Sequence, residues 1–183
     1  MIKKLGRLAK KILYQLVFVF FYFKAHRHVS GEKSIVVFDI DNTLADTWPS
    51  FLKDYESDSD RLVSLVPFAS MIELIYSYSK LGHHVMFLTA RDYRYYFLTN
   101  AWLKRYVDCK FSLVMVSRPS EKVKILKSFS GCNIDFYDDL SYSHETGVVQ
   151  YYSDDIYDVK NISNVRYFDS EYILKVQAGG SDE

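Results

Sequence analysis

The sequence predicts an α/β fold built on a parallel sheet, and three observations carry that expectation. Ile35-Val36-Val37-Phe38 is a short, unbroken apolar run, the pattern of a strand buried on both faces. Similar runs recur at 84–88, 111–116 and 133–137, with weaker strand signals at 147–152 and 165–168. Between the first two runs, Met71, Ile72, Leu74, Ile75, Tyr78 and Leu81 recur at three- and four-residue steps, a helix with one buried side that Gly82 closes.

Composition bounds the rest. A chain of 183 residues is long enough for one good core and short for two. Half the residues are hydrophobic and a quarter charged, as in globular domains. The formal net charge of zero hides an asymmetry: residues 1–32 hold seven Lys/Arg against one acid, and the remainder holds 16 against 22. The body is therefore mildly acidic, which argues against broad nucleic-acid binding through a basic surface. Cys109 and Cys132 have neither metal-ligand spacing nor a disulfide framework, and read as reduced thiols in a cytoplasmic setting.

The chain opens with a helix-forming segment. Lys3, Lys4, Arg7, Lys10 and Lys11 precede an almost wholly apolar stretch, 12–23, closed by Lys24, His26, Arg27 and His28. The apolar stretch is shorter than the ~20 residues that span a bilayer. No small-residue cleavage site follows it, so a signal peptide is not indicated. Two readings fit: an interfacial helix on an anionic membrane, or a helix packed on the body or on a second subunit. His26 and His28 are expected as a solvated junction. Residues 1–30 form this unit, 33–175 the catalytic domain, and 176–183 a disordered tail.

The first strand runs into Asp39-Ile40-Asp41-Asn42-Thr43. Asn42 is a turn former, so both carboxylates sit where strand gives way to loop, the edge at which open α/β sheets bind ligands. A spacing of two projects them to one side. Carboxylates that close repel, and a divalent cation is the natural partner.

At these residues the chain resembles the haloacid-dehalogenase-like phosphohydrolases, whose first motif is a strand followed by DxDx(T/V). The resemblance implies a three-layer Rossmann-like sheet. It implies that Asp39 is a nucleophile forming an aspartyl-phosphate, that Asp41 is the general acid/base, and that Mg2+ is the cofactor. A carboxylate nucleophile splits phosphate transfer into two steps, and a metal neutralises the charge that would repel it from the phosphate. Three further stretches resemble the family's remaining motifs. Thr89-Ala90-Arg91 at the end of the second strand would hold the phosphate together with Asn42; Arg91 would either clamp an oxygen or form a structural salt bridge. Lys122, with Leu126 four positions on, matches the motif lysine better than Lys124 does; Ser120 is expected to cap its helix. Asp138-Asp139 would complete the metal site with Asp39 and the backbone carbonyl of Asp41, and Glu145 is a weaker candidate for orienting a metal-bound water. His144 is expected at the surface.

The residues between 47 and 67 show no clear helical pattern and are too few for a packed cap domain. An open site admits large or membrane-bound phosphoesters. The leading expectation is a Mg2+-dependent capless phosphatase, cytoplasmic and peripheral on the inner face of a membrane. Thr99-x-x-Trp102-Leu103, in the helix expected near 92–106, resembles the polynucleotide 3′-phosphatase branch and gives a nucleotide or polynucleotide substrate as the alternative; Trp102 as a plain core anchor explains the same residues. A membrane-tethered binding protein without turnover is the remaining alternative.

Overall fold

The computed structural model describes residues 2–129, 131–142 and 149–179, and the side chains of the first helix from residue 12 onward. Five strands form one all-parallel sheet in the order β3-β2-β1-β4-β5: β1 Ser34–Phe38, β2 His84–Thr89, β3 Phe111–Met115, β4 Asn133–Tyr137 and β5 Val165–Phe168. The central strand is the one the sequence marks most strongly. Ile35, Val36, Val37 and Phe38 are at most 1% exposed, and burying each such side chain contributes about 1.5–3 kcal/mol.

The chain lays β2 and β3 on one side of β1 and then returns to lay β4 and β5 on the other. That reversal leaves a crevice at the carboxyl ends of β1 and β4, where open α/β sheets take ligands. Register fixes what meets there: Phe38 lies opposite Phe87 on β2 and Tyr137 on β4, so the residues that follow emerge side by side. The Asp39 N–H still donates to the Tyr137 carbonyl (2.9 Å).

Seven helices complete the described fold: α1 Ile2–Val29, α2 Asp58–Ser64, α3 Ala69–Lys80, α4 Tyr96–Tyr106, α5 Pro119–Lys127, α6 Ser153–Lys160 and α7 Ser170–Gln177. Helix α3 ends one residue before the apolar pattern does. Gly82 adopts φ +84° just beyond it, a left-handed turn that glycine enters without steric cost, and Leu81 is left exposed rather than on the buried side. The next helix also starts later than expected: Asp92 caps a 3-10 turn at Tyr93–Tyr95, and α4 begins at Tyr96.

The stretch between 47 and 67 holds more structure than its sequence suggests. A 3-10 helix spans Trp48–Leu52, and α2 follows with Ser57 as its cap, its side chain accepting from the Asp60 N–H. Asp58 and Asp60 are the first-turn acids that favour this helix. Ala45 bridges Pro67 at the base of the excursion, and the Trp102 indole N–H donates to the Leu65 carbonyl (2.9 Å). Among the described residues no cap domain stands over the sheet.

Helix α1 is packed on the body by one side. Phe21, Ala25 and Val29 are buried, and Lys24 donates to the Tyr96 hydroxyl (2.6 Å) and the Leu113 carbonyl (3.3 Å). His26 is not a solvated junction: its ring lies 4.7 Å from Tyr22 and 5.4 Å from Phe129. No helix among the described residues is long and apolar enough to cross a membrane. Residues 149–152 add no strand to the sheet. Helix α7 continues through Gln177, two residues into the stretch expected as tail, while residues 180–183 lie outside the described part.

Candidate active site

Four buried aspartates converge at the carboxyl ends of β1 and β4, and two buried cations stand between them. Asp39 follows β1 directly, and Asp138 and Asp139 follow β4. Lys122 reaches in from the first turns of α5, and its ammonium donates to Asp39 Oδ1 and Asp138 Oδ2, both at 2.7 Å. Lys124, two residues on, is exposed; a step of two on a helix turns a side chain to the far side. Helix α5 starts differently from expectation. Arg118 is its cap residue and Pro119 its first position, with no side-chain cap bond from Ser120. Glu121 instead accepts from the Ser117 N–H and hydroxyl, each at 2.8 Å, and so ties the residue before the cap to the first turn.

Asp41 is held on the other side of the crevice. Arg91 grips it through two parallel bonds, Nε to Oδ2 and Nη2 to Oδ1, both 2.7 Å, and the Thr47 hydroxyl adds a third at 2.8 Å. Of the two readings of Arg91, the structure shows the salt bridge, with Asp41 as the partner. The loop between strand and Thr47 is tightly wound. Asn42 takes φ 55°, the left-handed conformation that Asn tolerates better than most residues. Its side chain accepts from the Trp48 N–H (2.9 Å) and reaches Asp139 Oδ2 (3.5 Å). Thr89, the last residue of β2, is fully buried, and its hydroxyl accepts from the Arg91 N–H (3.3 Å).

These environments separate the carboxylates electrostatically. Burial pushes Asp39 up, with the Asp41 charge adding to it, and the shared Lys122 only partly offsets that. Asp138 is pushed up to about 7, by burial first and by Asp39 next, against the pull of Lys122. Asp41 goes the other way. Burial raises it, but the Arg91 charge and the bonds from Arg91 and Thr47 outweigh burial and hold it below the usual carboxylate range. For Lys122, burial disfavours the charged form, and the two carboxylates more than restore it. Among the described residues, four carboxylates against two cations leave an excess of negative charge that a divalent ion would balance.

Asp39, Asp138 and Asp139 each offer a carboxylate oxygen, and these oxygens lie within 4.8 Å of one another. Three hard oxygen donors on rigid strand ends fit a hard divalent cation such as Mg2+, which keeps several waters in its shell. The Asp41 carboxylate stands outside this cluster, held by Arg91 and Thr47. Glu145 and His144 lie outside the described residues.

The site opens into a cavity of about 330 Å3 whose wall includes Asp39, Asp41, Thr89, Ala90, Arg91, Lys122, Asp138 and Asp139. The wall also takes in Phe51, Arg61, Tyr95, Arg118 and Tyr152, with the Arg61 guanidinium 4.3 Å from the centre of the Phe51 ring. Thr47 and these five residues carry no sequence signal for the site. Thr47 stands in the first-motif stretch, but its bond to Asp41 depends on how that loop folds back. The other five come from separate parts of the chain and share no local pattern. Thr99 and Leu103 are fully buried and Trp102 nearly so, so that stretch lies in the core, with Trp102 as the anchor that its structural reading expects.

Neither a family model nor a curated protein matches the sequence. Among solved structures, a chain of the "Structure of Pnkp1/Rnl/Hen1 complex" superposes with TM-score 0.52 at 15% identity, over 76% of this chain and 46% of that one. The present chain thus spans about half the length of that neighbour. The likeness is one of fold.

Proposed function

We propose that the chain is a phosphatase that hydrolyses phosphate monoesters through an aspartyl-phosphate on Asp39. The observation that carries the reading is the division of two carboxylates, two residues apart, between different cations: Asp39 with Lys122, Asp41 with Arg91. Asp39 lies at the cavity floor as the nucleophile. Lys122 and Thr89 receive the phosphate oxygens, helped by Ala90 and Asn42 of the adjoining loops, and the Lys122 charge opposes repulsion between nucleophile and phosphate. An Asp39 oxygen attacks phosphorus as the ester P–O bond breaks, and Asp41 gives its proton to the departing oxygen. Water then attacks the acyl-phosphate, Asp41 takes its proton, and inorganic phosphate leaves. Arg91 has two stations in this scheme. In the resting site it keeps Asp41 ionised, and a phosphate that draws its guanidinium away raises Asp41 toward the protonated form an acid needs.

A Mg2+ ion would be held by Asp39, Asp138 and Asp139 with the Asp41 carbonyl. Bound there, it would supply charge neutralisation between the nucleophile and the phosphate. Replacement of Asp39 by Asn is expected to lower Mg2+-dependent hydrolysis of an aryl phosphate by about a thousandfold or more, because the amide cannot attack phosphorus. Retained turnover in that variant would refute the mechanism.

A second reading, a 3′-phosphate of a nucleotide or polynucleotide as substrate, draws on the fold shared with the chain from the Pnkp1/Rnl/Hen1 complex. Selective hydrolysis of 3′-phosphorylated oligonucleotides over other phosphate esters would establish it. The acidic body weighs against it. The non-catalytic alternative would show as phosphate binding with no turnover across sugar, nucleotide and lipid phosphates.

A further inference from the structure

Helix α1 has two apolar faces, and the body uses only one. Phe21, Ala25 and Val29 lie buried against the sheet side. On the opposite side Ile12, Leu13, Leu16, Val19, Phe20 and Phe23 are exposed, with Leu16 and Phe20 each 63% and Phe23 66% open. At 100° per residue these six fall within an arc of about 120°, the width of a full helix face. A run this apolar, open to water, marks a surface that meets something.

The charge of the helix says what. Between residues 2 and 29 it carries seven Lys/Arg and no acid. A second copy joined through this face would set one strongly basic helix against another in either orientation, a repulsive pairing. An apolar face with basic residues on the same helix matches a bilayer bearing anionic headgroups. Position adds to this. The helix climbs the sheet against the strand direction: His28 faces His84 at the start of β2, Lys24 bonds Leu113 in mid β3, and the Tyr14 hydroxyl donates to Asp92 (3.1 Å) just past the end of β2. Asp92 lines the catalytic cavity. It also borders a groove of about 290 Å3 shared by Leu13, Val17 and Tyr93. The twelve helical residues before Tyr14 rise about 18 Å beyond that level.

We propose that the outward face of α1 docks on an anionic bilayer, lying along the headgroup boundary and setting the catalytic cavity beside it. Packing on the body and contact with a membrane are then two sides of one helix.

The test is co-sedimentation of the full chain with phosphatidylcholine vesicles, with and without phosphatidylserine, beside the variant L16E/F20E. Both substituted positions are exposed and remote from the catalytic machinery, so hydrolysis of a soluble aryl phosphate without vesicles is expected to be unchanged. The wild type is expected to sediment with the anionic vesicles and to be released by salt, and the variant to bind about tenfold or more weakly. A wild type that stays in solution, or a variant that sediments equally well, overturns the proposal. So does a wild-type dimer that the variant splits in the absence of vesicle binding, which would give the face to a second copy. Loss of aryl phosphatase activity with vesicle binding intact would remove the catalytic reading and leave the docking in place.

Discussion

The two halves of the crevice solve the same electrostatic problem in different ways. On the β4 side one ammonium serves two carboxylates, Asp39 and Asp138, with Asp139 close by. On the β2 side one guanidinium holds the Asp41 carboxylate through both of its oxygens, and a hydroxyl assists. Among the described residues the first half sets three carboxylates against one ammonium, and the second sets one carboxylate against one guanidinium. A buried charge without full compensation costs several kcal/mol, so a divalent cation entering the crevice is favoured on the β4 side, where three carboxylate oxygens cluster. The chemistry proposed above follows that line: nucleophile and metal on one side, proton carrier on the other.

The comparison can be broken most directly at its two cations. Lys122→Ala strands two buried carboxylates and is expected to cost about 3–5 kcal/mol in the metal-free chain, by chemical denaturation. It is also expected to abolish measurable turnover. Arg91→Ala strands one carboxylate that keeps its Thr47 bond, and about 3 kcal/mol is expected. The sharper readout is the response to Mg2+. The ion is expected to raise the melting temperature of Lys122→Ala by more than that of the wild type, and of Arg91→Ala by the same amount as the wild type. Equal responses in both variants would show that the two halves do not differ as described.

A smaller effect concerns pH. The Asp138 carboxyl is raised to about 7, above its value near 4 in an unfolded chain. Between those values the folded chain holds more protons at this site than the unfolded one, so stability contributed there is present at low pH and lost as pH rises toward 7. Melts from pH 4 to 8 in chelator should show this slope, and Asp138→Asn should flatten it. A slope unchanged in that variant would place its origin elsewhere. The smallest effect is expected at Lys124→Ala: this lysine is exposed, and stability and turnover should stay within about 0.5 kcal/mol of wild type. A large loss there would contradict the placement of Lys122.

How much of this was legible in the sequence follows from how local each feature is. Strands β1 to β4 were readable because apolar runs bounded by polar residues are short-range patterns. The gathering of Asp39, Thr89, Lys122 and Asp138 at one edge was an expectation of the family resemblance, carried by short stretches that end a strand or begin a helix. The Arg91–Asp41 pair spans 50 residues, and no periodicity announces which carboxylate a strand-tip arginine will find. The start of α5 was missed because Ser120 and Pro119 both signal helix entry, and proline at the first position moves the cap back to Arg118. Helix α1 left two readings open for a physical reason: a helix apolar on opposite faces has no single polar side to show which way it turns.

One distant contact bears on how the protein can be handled. The Gln177 amide, in the final turn of α7, donates to the carbonyls of Asn42 (3.1 Å) and Thr43 (3.2 Å). The last described helix therefore props the loop that follows Asp41 from the outside. Trimming the chain before this residue, or fusing a bulky partner close behind it, would loosen that loop from more than 130 residues away in sequence. An affinity handle is better joined through a spacer, and a drop in activity after C-terminal editing should be traced first to this prop.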